Sequence, residues 1–278
     1  MRWTVTTDIA LVTGDGAAQL AFMVAAARVP GLEITDSFEA RLDRSELDAA
    51  LLLEPNGTVT HLGDLPSSTR ADSRLTVSYR GTIDGDPAAA AARSEAGTGI
   101  SELLTYLRPS RYAESDHLSA TAHSEFGSLR GVELLRAVAG WVHARLAYVP
   151  GWSRSTDGAV ETLLARAGVC RDFGHLVIAL LRALDVPARL VSVYAPGLSP
   201  MDFHAVAEAW VDGAWHVVDA THLAPRQSLV RIATGRDSAD TAFLSCYGTP
   251  VLLDQLSVAA VVDGELPADD GLSPVRLA

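Results

Sequence analysis

Lysine is absent from this chain of 278 residues, and cysteine is rare. All 22 basic residues are arginine, and the two thiols are Cys170 and Cys246. Two cysteines are too few for a disulfide framework or for a four-cysteine zinc site. Thiols stay reduced in the cytoplasm, so this composition favours a cytoplasmic location.

Positive charge and long apolar runs are also scarce. The 22 basic residues are outnumbered by 34 acidic residues, which gives a net charge of −12. A chain this acidic is repelled by phosphate backbones and by anionic lipid surfaces, so we expect neither nucleic acid nor a membrane as a partner.

The longest apolar stretches, residues 17–29 and 175–194, contain arginine and other polar residues. Neither reaches the roughly 18 apolar residues that predict a membrane helix.

The chain nevertheless has enough apolar sequence for a folded core, because 48% of its residues are hydrophobic. Alternating β-branched residues, as in 75–80, predict a β-rich domain over residues 1–85. Residues 86–107 are rich in alanine and poor in large apolar side chains, and we interpret them as a linker. We expect residues 108–278 to form a second domain, which begins with a polar, loop-like segment over 108–126.

Helical periodicity is clearest in this second domain. The predicted helices span residues 130–147, 158–166 and 170–184, and the predicted strands span 188–194, 204–211 and 214–220. The last two strands are separated by Asp212-Gly213, which is a strong signal for a two-residue type I′ hairpin.

Cys170 stands where the third helix begins, directly after Gly168-Val169. Unpaired backbone N–H groups and the helix dipole favour an anion at that place, so a cysteine there is suited to act as a thiolate nucleophile. The alternative is a small buried hydrophobic residue, which is what most free cysteines are. A nucleophilic role requires a base nearby.

The predicted hairpin supplies such a base. If Val211 pairs with Ala214, Asp219 lies opposite Val206, and His204 is two residues away on the same face. Such diagonal neighbours have Cα atoms roughly 7–8 Å apart, so a carboxylate can hold one imidazole nitrogen and leave the other free. His204 could otherwise be a solvated residue at a strand start, and Asp219 could cap the strand exit. Together with Cys170 they favour a nucleophile, a base and an orienting carboxylate.

The second domain resembles the transglutaminase-like cysteine enzyme superfamily, in particular its bacterial branch with an N-terminal β domain. The matching segments are residues 108–112, 168–175, 187–189, 202–205, 208–211, 215–221 and 231–237. The resemblance implies an α+β fold with a papain- or transglutaminase-like core, in which a helix carrying the cysteine packs on an antiparallel sheet carrying the histidine and the aspartate. It assigns Cys170 as nucleophile, His204 as base and Asp219 as the residue that orients the base.

Other residues are expected to support this site. The Cys170 N–H is a natural oxyanion donor at a helix N-terminus, and related enzymes suggest Trp152 or Ser153 as a second one. Asp172 and Glu208 are expected to hold the catalytic residues in position through hydrogen bonds, without contacting the substrate. Arg236 and Asp237 match a string seen in the family and could border the cleft, although a buried ion pair explains them equally well. We expect no cofactor and no metal.

The sequence therefore predicts a cysteine-dependent enzyme that transfers acyl groups from amide or peptide bonds of a protein or peptide substrate. Hydrolysis by a peptidase or amidase is the favoured reaction. A transglutaminase, which joins a glutamine side chain to an amine, is the first alternative. A non-catalytic protein- or peptide-binding module on the same fold is the second.

Overall fold

The alternating residues of the N-terminal region form two antiparallel sheets. In the computed structural model, which describes residues 1–95 and 97–278, the first sheet has the strand order β15-β1-β7-β3-β4. Its strands are β1 (Arg2–Thr13), β3 (Leu32–Leu42), β4 (Ser45–Glu46), β7 (Arg74–Gly85) and β15 (Val251–Val262). The second sheet has the order β14-β2-β6-β5. Its strands are β2 (Ala18–Phe22), β5 (Ala49–Leu53), β6 (Val59–Leu65) and β14 (Leu244–Gly248).

Both N-terminal sheets receive a strand from the C-terminal part of the chain. β15 pairs with β1 along nearly its whole length, and β14 pairs with β2. The sheets are therefore not divided where the sequence analysis placed the boundary between residues 1–85 and 108–278. Alternation within a segment predicts a strand, but it does not tell which sheet the strand joins.

The segment interpreted as a linker contains two helices, α1 (Pro87–Glu95) and α2 (Ile100–Leu107). Alanine has the highest helix propensity, and Ala90 and Ala91 are buried. The prediction of a linker was therefore wrong, because a helix can be packed through small alanine side chains as well as through large apolar ones. Residue 96 of this segment lies outside the described residues. A third helix, α3 (Ser119–Phe126), lies in the segment predicted to be a loop.

The three predicted helices of the second domain are confirmed, with slightly shorter bounds. They are α4 (Gly131–Arg145), α5 (Ala159–Ala165) and α6 (Cys170–Arg182), and a short α7 (Ser238–Thr241) follows later in the chain. Residues 172–182 of α6 are all buried. This helix is thus the centre of the second core.

α6 packs on a third antiparallel sheet of order β12-β11-β10-β13. Its strands are β10 (Ala188–Tyr194), β11 (Phe203–Val211), β12 (Ala214–Val218) and β13 (Val230–Gly235). Val211 pairs with Ala214 and Trp210 with Trp215, so the register predicted from the Asp212-Gly213 turn is confirmed. A parallel pair of two-residue strands, β8 (Ala147–Tyr148) and β9 (Ala167–Gly168), lies just before α6.

No helix within residues 1–95 and 97–278 combines the length and the apolar character required to cross a lipid bilayer.

Candidate active site

The start of α6 holds Cys170 in a defined backbone geometry. The Val169 N–H donates a hydrogen bond of 2.7 Å to Asp172 Oδ2, so this carboxylate caps the helix three residues from its N-cap. A side chain at Gly168 would have its Cβ 2.7 Å from the Asp172 Cβ, which only glycine avoids. Cys170 itself is a free, partly exposed cysteine. The residue thus lies partly exposed at the end of an otherwise buried helix.

Asp172 and Ser153 form the support of this helix start. The Ser153 hydroxyl donates to Asp172 Oδ1 at 2.9 Å, and Arg171 Nη2 donates to the Ser153 oxygen at 2.9 Å. Burial raises the pKa of Asp172, while the hydrogen bonds from Val169 and Ser153 act in the opposite direction. Asp172 thus joins the start of α6 to the loop that carries Ser153. Ser153, a candidate oxyanion donor, directs its hydroxyl to Asp172.

The hairpin places His204 beside Asp219. His204 Nε2 lies 3.5 Å from Asp219 Oδ2, and both side chains are almost completely buried. Thr221 fixes the carboxylate, because its N–H and its hydroxyl both donate to Asp219 Oδ1, at 2.8 and 2.7 Å. The second oxygen of Asp219 is thereby left facing the imidazole. The distance between His204 and Asp219 agrees with the pairing that was predicted from the hairpin turn alone.

The other imidazole nitrogen of His204, Nδ1, is buried and has no hydrogen-bond partner among the described residues. Because Nε2 faces Asp219, this nitrogen is the one available to the Cys170 thiol. Burial by itself lowers the pKa of His204, but Asp219 and Cys170 together raise it to about 10. The pKa of Asp219 is lowered despite its burial, because His204 and Thr221 stabilise the carboxylate. A pKa raised in this way favours the protonated form of the His204 imidazole at neutral pH.

Tyr148 is a further member of the site that the sequence analysis missed. It pairs with Gly168 across the β8–β9 bridge, and the Val149 N–H donates to the Gly168 carbonyl at 2.9 Å. Its phenol group interacts with both the backbone N–H and the thiol of Cys170, and burial is the main cause that raises the pKa of Tyr148 to about 12. Trp152, in the same loop, is 59% exposed. A parallel pairing of only two residues leaves no periodic pattern in the sequence, so the sequence could not predict it.

Glu208 lies on the strand of His204 but binds elsewhere. Within the described part of the chain, its hydrogen bonds are with Arg189 Nε at 2.8 Å and with two Arg231 nitrogens at 3.0 and 2.8 Å. The carboxylate is fully buried, yet the two guanidinium groups lower the pKa of Glu208 to about 2. Its contacts thus support the sheet and do not reach His204 directly.

Arg236 and Asp237 do not form the ion pair considered above. Arg236 binds Asp240 at 2.8 Å, and Asp237 accepts the Ala239 N–H at the start of α7 as well as the Tyr112 N–H at 3.0 Å. Beside them, the Ser238 N–H donates to His175 Nε2 at 3.1 Å. Asp237 therefore joins α7 to the loop before α3, which is a structural role.

The His, Cys, Asp and Glu side chains of residues 1–95 and 97–278 form no cluster of three or more that could hold a metal ion.

Comparison with known proteins agrees with this architecture. The profile of the Transglutaminase-like superfamily matches residues 118–220, which include Cys170, His204 and Asp219. A crystal structure of a candidate cysteine protease from Cytophaga hutchinsonii superimposes with a TM-score of 0.85 at 31% sequence identity, covering 100% of this chain and 98% of that chain. The likeness thus extends over the N-terminal sheets as well as the helical core.

Curated relatives match over a shorter region. An uncharacterized protein of Mycobacterium leprae (strain TN) is 30% identical over 118 residues, and one of Mycobacterium tuberculosis (strain ATCC 25618 / H37Rv) is 36% identical over 125 residues. These alignments cover 38% and 39% of this chain and 41% and 40% of the relatives. The chain thus spans about two fifths of the length of these curated relatives. The full-length match and the superfamily profile together show that the chain belongs to the transglutaminase-like superfamily.

Proposed function

We propose that the protein is a cysteine-dependent enzyme that cleaves amide or peptide bonds of a protein or peptide substrate by acyl transfer to water. The observation that carries the proposal is the position of His204, whose Nε2 lies 3.5 Å from Asp219 and whose imidazole interacts with the Cys170 thiol. A base held by a carboxylate beside a nucleophile is the arrangement that nucleophilic catalysis requires. The similarity to a candidate cysteine protease over the whole chain supports hydrolysis.

In the proposed cycle, the Cys170 sulfur attacks the carbonyl carbon of the substrate, and its proton resides on His204. The C–N bond breaks when His204 returns this proton to the departing amine, which leaves a thioester on Cys170. Water then attacks the thioester, His204 accepts a proton from it, and the C–S bond breaks to release the carboxylic acid, which restores the Cys170 thiolate beside the protonated His204. Asp219 stabilises the imidazolium in both halves of the cycle.

The developing oxyanion needs hydrogen-bond donors near Cys170. The Cys170 N–H at the start of α6 is one donor, and the Tyr148 hydroxyl, which lies at the same N–H, is our candidate for the second. The raised pKa of Tyr148, about 12, keeps this hydroxyl protonated at neutral pH. It replaces Trp152 and Ser153 as the favoured donor, because Trp152 is exposed and Ser153 is bonded to Asp172.

Amine transfer is distinguished from hydrolysis by the acceptor that resolves the thioester. We would incubate the protein with a glutamine-containing peptide and a labelled primary amine, and follow label incorporation, ammonia release and peptide cleavage by mass spectrometry. Cleavage or ammonia release without label supports the hydrolase, and label incorporation identifies a transglutaminase.

The matched control uses the two cysteines. Cys170→Ala should abolish the thioester intermediate, whereas Cys246→Ala should retain it. Full turnover by Cys170→Ala would contradict the proposed mechanism. A Cys170 thiol that reacts with iodoacetamide near pH 6 no faster than a free thiol would favour a binding module. The cytoplasmic location stays a prediction.

A further inference from the structure

A groove of about 390 Å³ lies between the two N-terminal sheets, on the side of β3, the two-residue β4 and β5. It is lined by Phe38 and Glu39 of β3, by Leu47 and Leu51 from the segment around β5, and by His61 of β6. None of these residues has a place in the proposed catalytic cycle. The groove therefore requires its own explanation.

The edge of β3 is open along this groove. β3 pairs with β7 over its full length, but with β4 only at Arg41 and Leu42. The Asp43 N–H points towards β7, where it meets the Arg74 carbonyl, whereas the Ala40 carbonyl points to the other side and accepts the Leu47 N–H. Along an antiparallel strand, the N–H and carbonyl groups of successive residues point to opposite sides. The N–H and carbonyl groups of the even-numbered residues of β3 therefore point away from β7.

The even-numbered residues concerned are Ile34, Asp36 and Phe38. Among the residues that the structure describes, none hydrogen-bonds their backbone N–H or carbonyl groups. An unpaired row of this kind is a template for an added strand.

The floor of the groove combines an aromatic surface with an unused polar atom. The His61 ring stacks on Phe38 with centroids 3.8 Å apart and planes 4° from parallel. His61 is only 8% exposed, and its Nδ1 has no hydrogen-bond partner within residues 1–95 and 97–278. Leu51 pairs with His61 on the neighbouring strand and is 58% exposed. Apolar surface and a polar side chain without a partner are features of binding surfaces.

The charge of the groove is negative. Arg28, the one cation among its lining residues, is occupied by a bidentate ion pair with Asp36 at 3.0 and 2.8 Å. Three further acidic residues, Glu39, Glu46 and Asp48, belong to the groove lining, and no described residue forms an ion pair with them. An occupant that carries positive charge is therefore favoured.

We propose that this groove binds an extended peptide segment with arginine or lysine side chains, which adds as a strand to the open edge of β3. Main-chain hydrogen bonds to Ile34, Asp36 and Phe38 would hold the segment. Alternate side chains would then point either to the floor formed by Phe38, Leu51 and His61 or to the three unpaired carboxylates. The site is separate from the catalytic cluster and does not depend on turnover.

Binding is measured with full-length Cys170→Ala protein, so that cleavage cannot interfere. A fluorescent peptide of alternating arginine and valine should bind saturably in anisotropy titrations, and more weakly as salt is raised. The same peptide with glutamate in place of arginine should not bind. N-methylation of alternate residues on one peptide edge should abolish binding, whereas N-methylation on the other edge should be tolerated, because an added strand uses one edge only.

A charge-matched pair of variants tests the position. Glu39→Gln/Glu46→Gln/Asp48→Asn removes the three groove carboxylates, and Asp116→Asn/Asp263→Asn/Glu265→Gln removes three outside the groove. We expect the first to weaken binding about tenfold, as the loss of three exposed charge pairs predicts, and the second to leave it unchanged.

Three outcomes would overturn the proposal. The first is a lack of saturable binding by the basic peptide, and the second is equal binding by the two triple variants. The third is self-association in sedimentation that Leu51→Asp abolishes, since it would assign the groove to a second copy of the chain. Loss of turnover in other variants would bear on the catalytic proposal alone.

Discussion

The two cysteines occupy regions of very different character. Cys170 begins a buried helix, beside the His204 imidazole and the Tyr148 phenol. Cys246 lies on β14 of an N-terminal sheet, where its thiol donates to the Thr249 carbonyl at 3.2 Å and burial raises its pKa. Both are partly exposed, so exposure alone does not separate them. Their neighbouring titratable groups do, because a nucleophile needs a partner that exchanges protons with it.

The same contrast extends to the surrounding cores. The N-terminal sheets enclose mainly apolar side chains, among them Trp3, Phe22 and Ile83. The second core instead buries charged groups, including Glu208 and Asp219. Burying a charge is costly unless it is paired. The positions of the polar side chains are therefore more strongly constrained in the second core than between the N-terminal sheets.

The largest expected effect separates the two thiols directly. Cys170→Ala and His204→Ala should each lower kcat by at least about 10⁴-fold, since removal of one member of a catalytic unit costs nearly as much as removal of all. Cys246→Ala should retain kcat. Steady-state cleavage of a peptide substrate, once one is identified, measures both. Equal losses at the two cysteines would remove the distinction between the regions.

Asp219→Asn should have the next largest effect. The amide keeps the shape of the side chain but no longer stabilises the imidazolium, so kcat should fall by about 10³–10⁴-fold and residual activity should remain. Thermal unfolding and circular dichroism would verify that the variant is folded. Unchanged kcat would show that His204 does not need this partner.

Each cysteine region also contains a tyrosine, which permits a matched test of the oxyanion donor. Tyr148→Phe should lower kcat by about 10²-fold, as loss of one donor predicts, while the rate of Cys170 alkylation by iodoacetamide is retained. Tyr247→Phe, next to Cys246 on β14, should change neither quantity. A kcat that rises in Tyr148→Phe would mean that the hydroxyl obstructs the site.

The smallest expected effect concerns pH. The pKa of His204 in the folded protein, about 10, lies above its ordinary value of 6.5. The resulting contribution to stability is complete below pH 6.5 and is lost as the pH rises through about 10. Turnover should decline over the same alkaline range, because the imidazolium can no longer protonate the departing amine.

Urea unfolding and kcat, each measured across this range, test the prediction. Asp219→Asn should shift the alkaline decline of kcat to lower pH, since Asp219 is a main cause of the raised pKa. An alkaline limb at the same pH in both proteins would contradict this assignment.

Much of the candidate site could be predicted because its signals are local. The Asp212-Gly213 turn determines the pairing of Val211 with Ala214, and this pairing places His204 near Asp219. The glycine and the apolar run around Cys170 likewise predict the start of α6. In contrast, the helices in residues 86–107 were missed, since alanine-rich sequence suits both a linker and a packed helix.

The sequence by itself determined the superfamily resemblance, the start of α6 at Cys170 and the register of the hairpin that carries His204, because each depends on residues close together in the chain. Only the tertiary structure decided that Tyr148 reaches Cys170, that Arg189 and Arg231 enclose Glu208, and that β14 and β15 complete the N-terminal sheets. These are contacts between distant segments, and they depend on how the layers pack, which local periodicity does not encode.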